Sequence, residues 1–132
     1  MELFTGTVNS FFQKELSVLK CDPVVRAYIV GVLSDFKTSK IDYSKNSITS
    51  VYSEASFNND FIKFQSIADW LFLCSSLYPE HLNGASIDYY YSIGQVSYYK
   101  CYKLLNRQLL VYEAMSDLFI PLVKNVRKTI IK

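Results

Sequence analysis

The fold is decided by residues 61–78, which read FIKFQSIADWLFLCSSLY. Apolar side chains recur in this stretch every three or four residues, the spacing that places them on one face of a helix. That face consists of Phe64, Ile67, Leu71, Cys74 and Tyr78. Other large apolar side chains cover most of the remaining circumference, and a helix that is apolar nearly all round is usually the central one. We therefore expect residues 61–78 to form the central helix.

Helical spacing of apolar residues continues on both sides of this stretch. Asp22-Pro23, Asp60 and Ser86 are typical residues at helix starts, and Pro121 should kink or split the last helix. The predicted helices cover about residues 3–19, 23–36, 48–55, 60–78, 86–105 and 112–130. The sequence thus predicts an all-α fold, a single-domain bundle of five or six helices spanning residues 1–132.

The tyrosine-rich segment 89–102 is the one place where a strand competes with a helix. Tyr89-Tyr90-Tyr91 would suit a strand locally, but Tyr91, Gly94 and Tyr98 follow helical spacing. We therefore expect this segment to be a helix that pairs antiparallel with residues 61–78 after a turn at Asn83-Gly84.

Composition narrows the class of protein. The chain has 132 residues, half of them apolar, and a net charge of +2, which is typical of one globular domain. Basic residues concentrate only near the carboxyl end, at Lys124, Arg127, Lys128 and Lys132. Such a cluster is usually a solvated helix end that complements the helix dipole. Nucleic-acid binding is therefore disfavoured, since it normally needs a larger basic footprint.

The cysteines and the amino-terminal residues indicate the cellular compartment of the protein. The three cysteines are an odd number and no two have CxxC spacing, which indicates free thiols in a reducing environment. The start of the chain lacks a basic segment followed by a long apolar run, and the apolar window 67–77 is too short to span a bilayer. We expect a cytoplasmic protein with no membrane partner.

Two groups of residues resemble a known family. The first is IADWLF at 67–72 with LYPEHL at 77–82; the second is DYY at 88–90, Gly94, Ser97-Tyr98 and YEAMS at 112–116 with Phe119. Together they resemble a family of small bacterial all-helical proteins that carries a G-D-F-x-L-F…F-P-E-x-L segment and a later D-Y-x-x-x-G-x-x-S-Y segment. The similarity covers about residues 23–130.

The chain departs from that family pattern at two positions. Ala68 stands where the pattern has glycine, and Trp70 where it has phenylalanine. The family has no established activity, so the resemblance implies a helical domain of bacterial origin but supplies no function.

Catalytic and cofactor chemistry has little support. His81 is the only histidine and falls in a turn, so a nucleophile would have no obvious base. Helical di-iron sites use paired Glu-x-x-His sets and zinc sites use closely spaced cysteine or histidine ligands, and neither pattern occurs. The glycines are isolated and form no phosphate-binding loop. We predict no catalytic residue, no metal and no cofactor. The sequence does not decide whether the protein is an enzyme, and the lack of catalytic motifs favours a non-enzymatic role.

Asp69 is the residue that helix packing explains least. It interrupts the apolar run, almost opposite the stripe centred on Leu71. It either meets water on a narrow polar face, or is a buried carboxylate bonded to tyrosine hydroxyls or to Ser97. In the second case Asp69, Ser97 and Tyr98 are candidate ligand-binding residues.

Two functions therefore compete. Tyrosine is enriched at protein interfaces, so Tyr89 and Tyr99 on the outer face of their helix are candidate contacts in a non-enzymatic protein-interaction module, with a homodimer as one form. The alternative is a ligand-binding or enzymatic helical bundle with a pocket near Asp69, Ser97 and Tyr98. Nucleic-acid binding through the basic carboxyl end is a third and weaker hypothesis.

Overall fold

A computed structural model describes residues 2–34 and 47–131, and all regular structure in these two ranges is helical. The helices are α1 (Glu2–Glu15), α2 (Pro23–Ser34), α3 (Ile48–Asn58), α4 (Phe61–Leu77), α5 (Ile87–Leu104), α6 (Leu110–Asp117) and α7 (Phe119–Ile130). Short 3-10 turns follow α1 at Leu16–Val18 and α4 at Pro79–His81. The all-α class is confirmed. The predicted helices leave residues 37–47 as a loop. This loop and the end of the helix predicted to reach Phe36 lie almost wholly outside the described residues.

The predicted number of five or six helices was too low, because the described ranges contain seven. The extra helix arises where the last predicted helix is divided at Leu118, between α6 and α7. Pro121 has no N–H to donate to the carbonyl of Asp117, and its ring would clash with that carbonyl in a continuous helix. The chain therefore ends α6 at Asp117 and restarts, which places Pro121 in the first turn of α7, where its missing donor costs little.

Three helix starts use the capping residues that the sequence indicates. The Asp22 carboxylate accepts from the backbone N–H of Val24 at 2.8 Å, at the start of α2. Asp60 accepts from Lys63 N–H at 3.2 Å ahead of α4, and the Ser86 hydroxyl accepts from Tyr89 N–H at 3.2 Å ahead of α5. Each bond satisfies a donor that the first turn of a helix leaves without an intrahelical partner.

The helices α4 and α5 form the central pair, and the short connection 78–86 returns the chain so that they run antiparallel. Nine residues of α4 are buried, which agrees with its apolar circumference. The helices α3, α6 and α7 pack around this pair, while α1 packs mainly on α2. Asn106 and Arg107 have positive φ values of 56° and 59° in the turn that ends α5 and leads to α6.

At Gly94, α5 lies close against the Phe119 side chain of α7. A Cβ atom at Gly94 would lie 2.5 Å from Cζ of Phe119, whose side chain is fully buried. The glycine is therefore explained by packing, since the Phe119 ring occupies the space that any side chain at position 94 would need.

We expect Gly94→Ala to lower the free energy of unfolding by about 1–3 kcal/mol, because the clash with Phe119 outweighs the gain in helix propensity. The matched control is Gly31→Ala in α2, where a Cβ would meet nothing within 4 Å. That variant should gain about 0.5–1 kcal/mol. Equal stability of the two variants in urea unfolding would show that α5 and α7 do not meet at Gly94.

Candidate functional site

Asp69 lies near the middle of α4 and is partly buried. Its Oδ1 atom accepts a hydrogen bond from the Tyr28 hydroxyl at 2.7 Å and another from the Tyr98 hydroxyl at 2.8 Å. Tyr28 comes from α2 and Tyr98 from α5, so one carboxylate oxygen links three helices. Of the two alternatives for Asp69, the described geometry corresponds to the carboxylate bonded to tyrosine hydroxyls.

A second polar pair extends this arrangement. Gln65 precedes Asp69 by one helical turn, and its Nε2 donates to the Tyr112 hydroxyl of α6 at 2.7 Å. The ring centroid of Tyr112 lies 5.5 Å from that of Tyr28 and 6.4 Å from that of Tyr98. We call these five residues, Tyr28, Gln65, Asp69, Tyr98 and Tyr112, the tyrosine–carboxylate cluster. It joins four helices of the bundle.

The environment of the cluster keeps its tyrosines neutral. Burial raises the pKa of Tyr28 and of Tyr98 well above the ordinary value, and the neighbouring Asp69 charge adds to both shifts. The pKa of Tyr112 is also raised, mainly by burial. These hydroxyls therefore serve as hydrogen-bond donors and acceptors at neutral pH, and a phenolate nucleophile or base is not accessible there.

The buried thiol beside the cluster is equally unreactive. Burial and, secondarily, the Asp69 charge raise the pKa of Cys101 to about 12. Burial likewise raises the pKa of Cys74 to about 12. Because the thiolate is the reactive form, neither residue offers a nucleophile near neutral pH.

Ser97 was predicted as one possible hydrogen-bond partner of Asp69, and the structure shows no bond between these two residues. Its side chain on α5 is fully buried, and its hydroxyl makes no hydrogen bond within the described parts of the chain. The neighbouring residue Tyr98 makes the bond to Asp69 instead. A step of one residue turns a helical side chain by about 100°, so the two adjacent residues face different neighbours. Ligand binding at Asp69, Ser97 and Tyr98 stays a prediction.

The two candidate interface tyrosines lie in different settings. The Tyr89 hydroxyl forms a hydrogen bond with the Thr49 side chain of α3, and the Tyr89 side chain is partly buried. Tyr99 is 40 % exposed, and the Lys103 ammonium lies 5.8 Å from the centre of its ring. Tyr99 is therefore the better placed of the two for contact with another molecule.

Three further features considered from the sequence are the histidine, possible metal ligands and membrane-spanning segments. His81 is exposed in the 3-10 turn after α4, where its ring stacks on Tyr78 at 5.7 Å. Within residues 2–34 and 47–131, no group of three histidine, cysteine or acidic residues is placed to hold a metal ion. Every helix within the described ranges is too short or too polar to span a bilayer.

Sequence reasoning singled out Asp69 and Tyr98 but missed three members of the cluster as site residues. Gln65 could have been predicted from the sequence, because it lies four residues before Asp69 on the same helical face. Tyr28 and Tyr112 could not have been predicted from local sequence, since each belongs to a different helix and reaches the cluster only through tertiary packing.

Comparison of the chain with family models, with curated proteins and with solved structures finds no match. The resemblance to small bacterial helical proteins therefore stays a prediction, and any function must be argued from the residues themselves.

Replacing Asp69 by alanine removes the acceptor of two tyrosine hydroxyls. We expect Asp69→Ala to lower the free energy of unfolding by about 3 kcal/mol or more, because leaving each buried donor unpaired costs about 1–3 kcal/mol. Asp69→Asn keeps an oxygen acceptor and should lose less. The control is Asp117→Ala at the exposed end of α6, and urea unfolding followed by circular dichroism is the measurement. An Asp69→Ala loss no larger than that of the control would contradict the cluster.

The tyrosine pKa values also predict a dependence of stability on alkaline pH. Above the ordinary pKa of 10.0 the unfolded chain releases tyrosine protons that folded Tyr28 and Tyr98 retain. The unfolded state then binds fewer protons, so stability falls as pH rises. Urea unfolding at several pH values from about 9 to 11.5 should show this decline, and Tyr28→Phe/Tyr98→Phe should reduce its slope. The same slope in both proteins would refute the assignment.

Proposed function

We propose that this protein is a non-enzymatic protein-interaction module whose binding surface lies at one end of the bundle. The observation that carries the proposal is a set of strongly exposed apolar side chains near the start of α4 and α6. Phe57 is 89 % exposed, Ile62 65 %, Leu110 64 % and Leu109 51 %. Soluble proteins tolerate scattered exposed apolar residues, but several at one location mark an interaction site.

Two contacts support the placement of these four residues at one end. The ring of Phe61, in the first turn of α4, lies 5.8 Å from that of Tyr112 in α6, and Gln65 bonds to the same tyrosine. Each of the four exposed residues lies within four positions of Phe61 or Tyr112 along the chain. We call Phe57, Ile62, Leu109 and Leu110 the apolar end.

Tyr99 and Lys103 extend this surface along the second half of α5. Because α5 runs antiparallel to α4, the end of α5 lies beside the start of α4. An exposed aromatic ring with a cation over it supplies both apolar area and a polar edge, a combination that is common in interfaces. Tyr89, the other tyrosine predicted at an interface, stays a candidate contact, although its hydroxyl is bonded to Thr49 of α3.

The partner that we put first is a second copy of the chain. A two-fold pair would place the apolar end of each copy against that of the other, so that one patch serves both sides. A stable interface usually buries roughly 800 Å² from each partner, more than four side chains supply. We therefore expect weak self-association, with a dissociation constant in about the micromolar range.

The ligand-binding alternative at Asp69, Ser97 and Tyr98 has less support. The Asp69 Oδ1 atom already accepts two tyrosine hydroxyls, and the Phe119 ring fills the space beside Gly94. Only the Ser97 hydroxyl, buried without a hydrogen bond in the described chain, favours an additional polar group at that position.

Sedimentation velocity over a range of about 1–500 µM tests the proposal, a range that brackets micromolar dissociation constants. The wild-type protein should sediment faster as its concentration rises. Ile62→Lys and Leu110→Lys should each shift it towards the monomer, because a charge in a closed apolar contact is costly. The matched control is Ile87→Lys, at an exposed position at the start of α5.

Each of these substitutions alters an exposed side chain, so circular dichroism should confirm that all three variants keep the fold. A wild-type protein that stays monomeric at every concentration would contradict self-association through this surface. So would association that Ile87→Lys weakens as much as Ile62→Lys does.

A further inference from the structure

A groove lies between the end of α1 and the last turns of α7, and its lining contains no residue of the tyrosine–carboxylate cluster or of the apolar end. Its volume is about 660 Å³, within the range of small-molecule sites. Three lysines, one carboxylate, two neutral polar residues and two apolar residues line it. Contact between α7 and the 3-10 turn after α1 holds the two walls together.

Three lysines from three different segments line this groove. Lys14 lies in the last turn of α1, Lys20 in the chain leading to α2, and Lys128 in the last turn of α7. Glu15 is the one carboxylate among the lining residues, so the lining carries an excess of positive charge. Lysines that converge on a concave surface raise the local concentration of anions.

The helix dipole explains two of these lysines but not the third. A cation in the last turn of a helix is stabilised by the exposed carbonyl groups there, which accounts for Lys14 and Lys128 separately. Lys20 belongs to no helix, yet it lines the same groove. A shared anionic ligand accounts for all three together.

The remaining lining residues indicate the kind of anion. Asn125 and Thr129 lie one turn apart on α7 and supply neutral hydrogen-bonding groups, and Val18 and Leu19 supply an apolar wall. Lysine binds phosphate groups as a compact point charge with three donors. We propose that the groove binds a small ligand that carries more than one phosphate group.

The extent of the positive charge favours a small ligand over a nucleic acid. Binding of a nucleic acid normally relies on a basic stripe that follows many phosphates, with a correspondingly steep dependence on salt. Here the three lysines surround one concavity, and a carboxylate lies among them.

Calorimetric titration of the full chain with inorganic tripolyphosphate at low ionic strength is the test. We expect saturable binding at one site that weakens as salt is added, because these lysines are exposed and their charges are screened. Lys20→Gln and Lys128→Gln should each weaken binding by about threefold or more, the effect of losing one exposed ion pair. The matched control is Lys100→Gln, which removes one charge from α5, outside the groove.

Glu15→Gln provides a test in the opposite direction. It removes the negative charge from the lining, so tripolyphosphate should bind about twofold or more tightly. A gain in affinity cannot come from loss of folding, so this variant separates a binding role from a structural one.

The phosphate groups could belong to a soluble compound or to a lipid headgroup, and a second titration distinguishes these sources. Phosphatidylcholine vesicles with and without phosphatidylinositol 4,5-bisphosphate, whose headgroup carries several phosphate groups, are compared for co-sedimentation of the protein. Binding to either probe that Lys20→Gln weakens and Lys100→Gln does not supports the site and identifies the source.

Three results would overturn the proposal. They are no binding of either probe, equal weakening by Lys20→Gln and Lys100→Gln, and binding of single-stranded DNA alone with a steep salt dependence. None of these outcomes bears on the apolar end, whose test is the oligomeric state.

Discussion

The structure depends on one carboxylate oxygen that accepts two tyrosine hydroxyls. Asp69 interrupts the central and largely apolar helix α4, and a carboxylate in that position needs hydrogen-bond donors to offset its loss of water. Tyr28 and Tyr98 supply them from α2 and α5. Their rings also pack against Tyr112, so each residue contributes apolar contact and a polar bond together. Four helices are thereby oriented around one point.

The tyrosine–carboxylate cluster and the two proposed binding surfaces consist of different residues. The tyrosine–carboxylate cluster is already satisfied by its own bonds, and its hydroxyls and the nearby thiol are held in unreactive neutral forms. The surfaces available to other molecules lie elsewhere, at the apolar end and in the lysine-lined groove. Binding at these two proposed surfaces would rely on different forces, apolar burial at the first and charge attraction at the second. Substitutions at one surface should therefore leave the other unaffected.

The sequence predicted those features that depend on local pattern. Helical spacing identified the central helix, and a polar residue in an apolar run identified Asp69. Proline chemistry located the break near Pro121, although the number of helices was set too low because the last segment was counted as one. The partnership of Tyr28 with Asp69 had no such signal, because it joins residues in separate helices. The groove joins Lys14 and Lys20 to Lys128 from near both ends of the chain, which only tertiary packing reveals.

The most direct measurement is a double-mutant cycle of Tyr28→Phe and Tyr98→Phe, read as free energies of unfolding in urea. Because both hydroxyls donate to the same oxygen, removal of one leaves that oxygen with fewer donors and so changes the strength of the bond that the other makes. The two effects should then differ from additivity by about 0.5 kcal/mol or more, as for residues that share one network. Additivity within about 0.3 kcal/mol, the behaviour of independent sites, would show that the two tyrosines do not share Asp69.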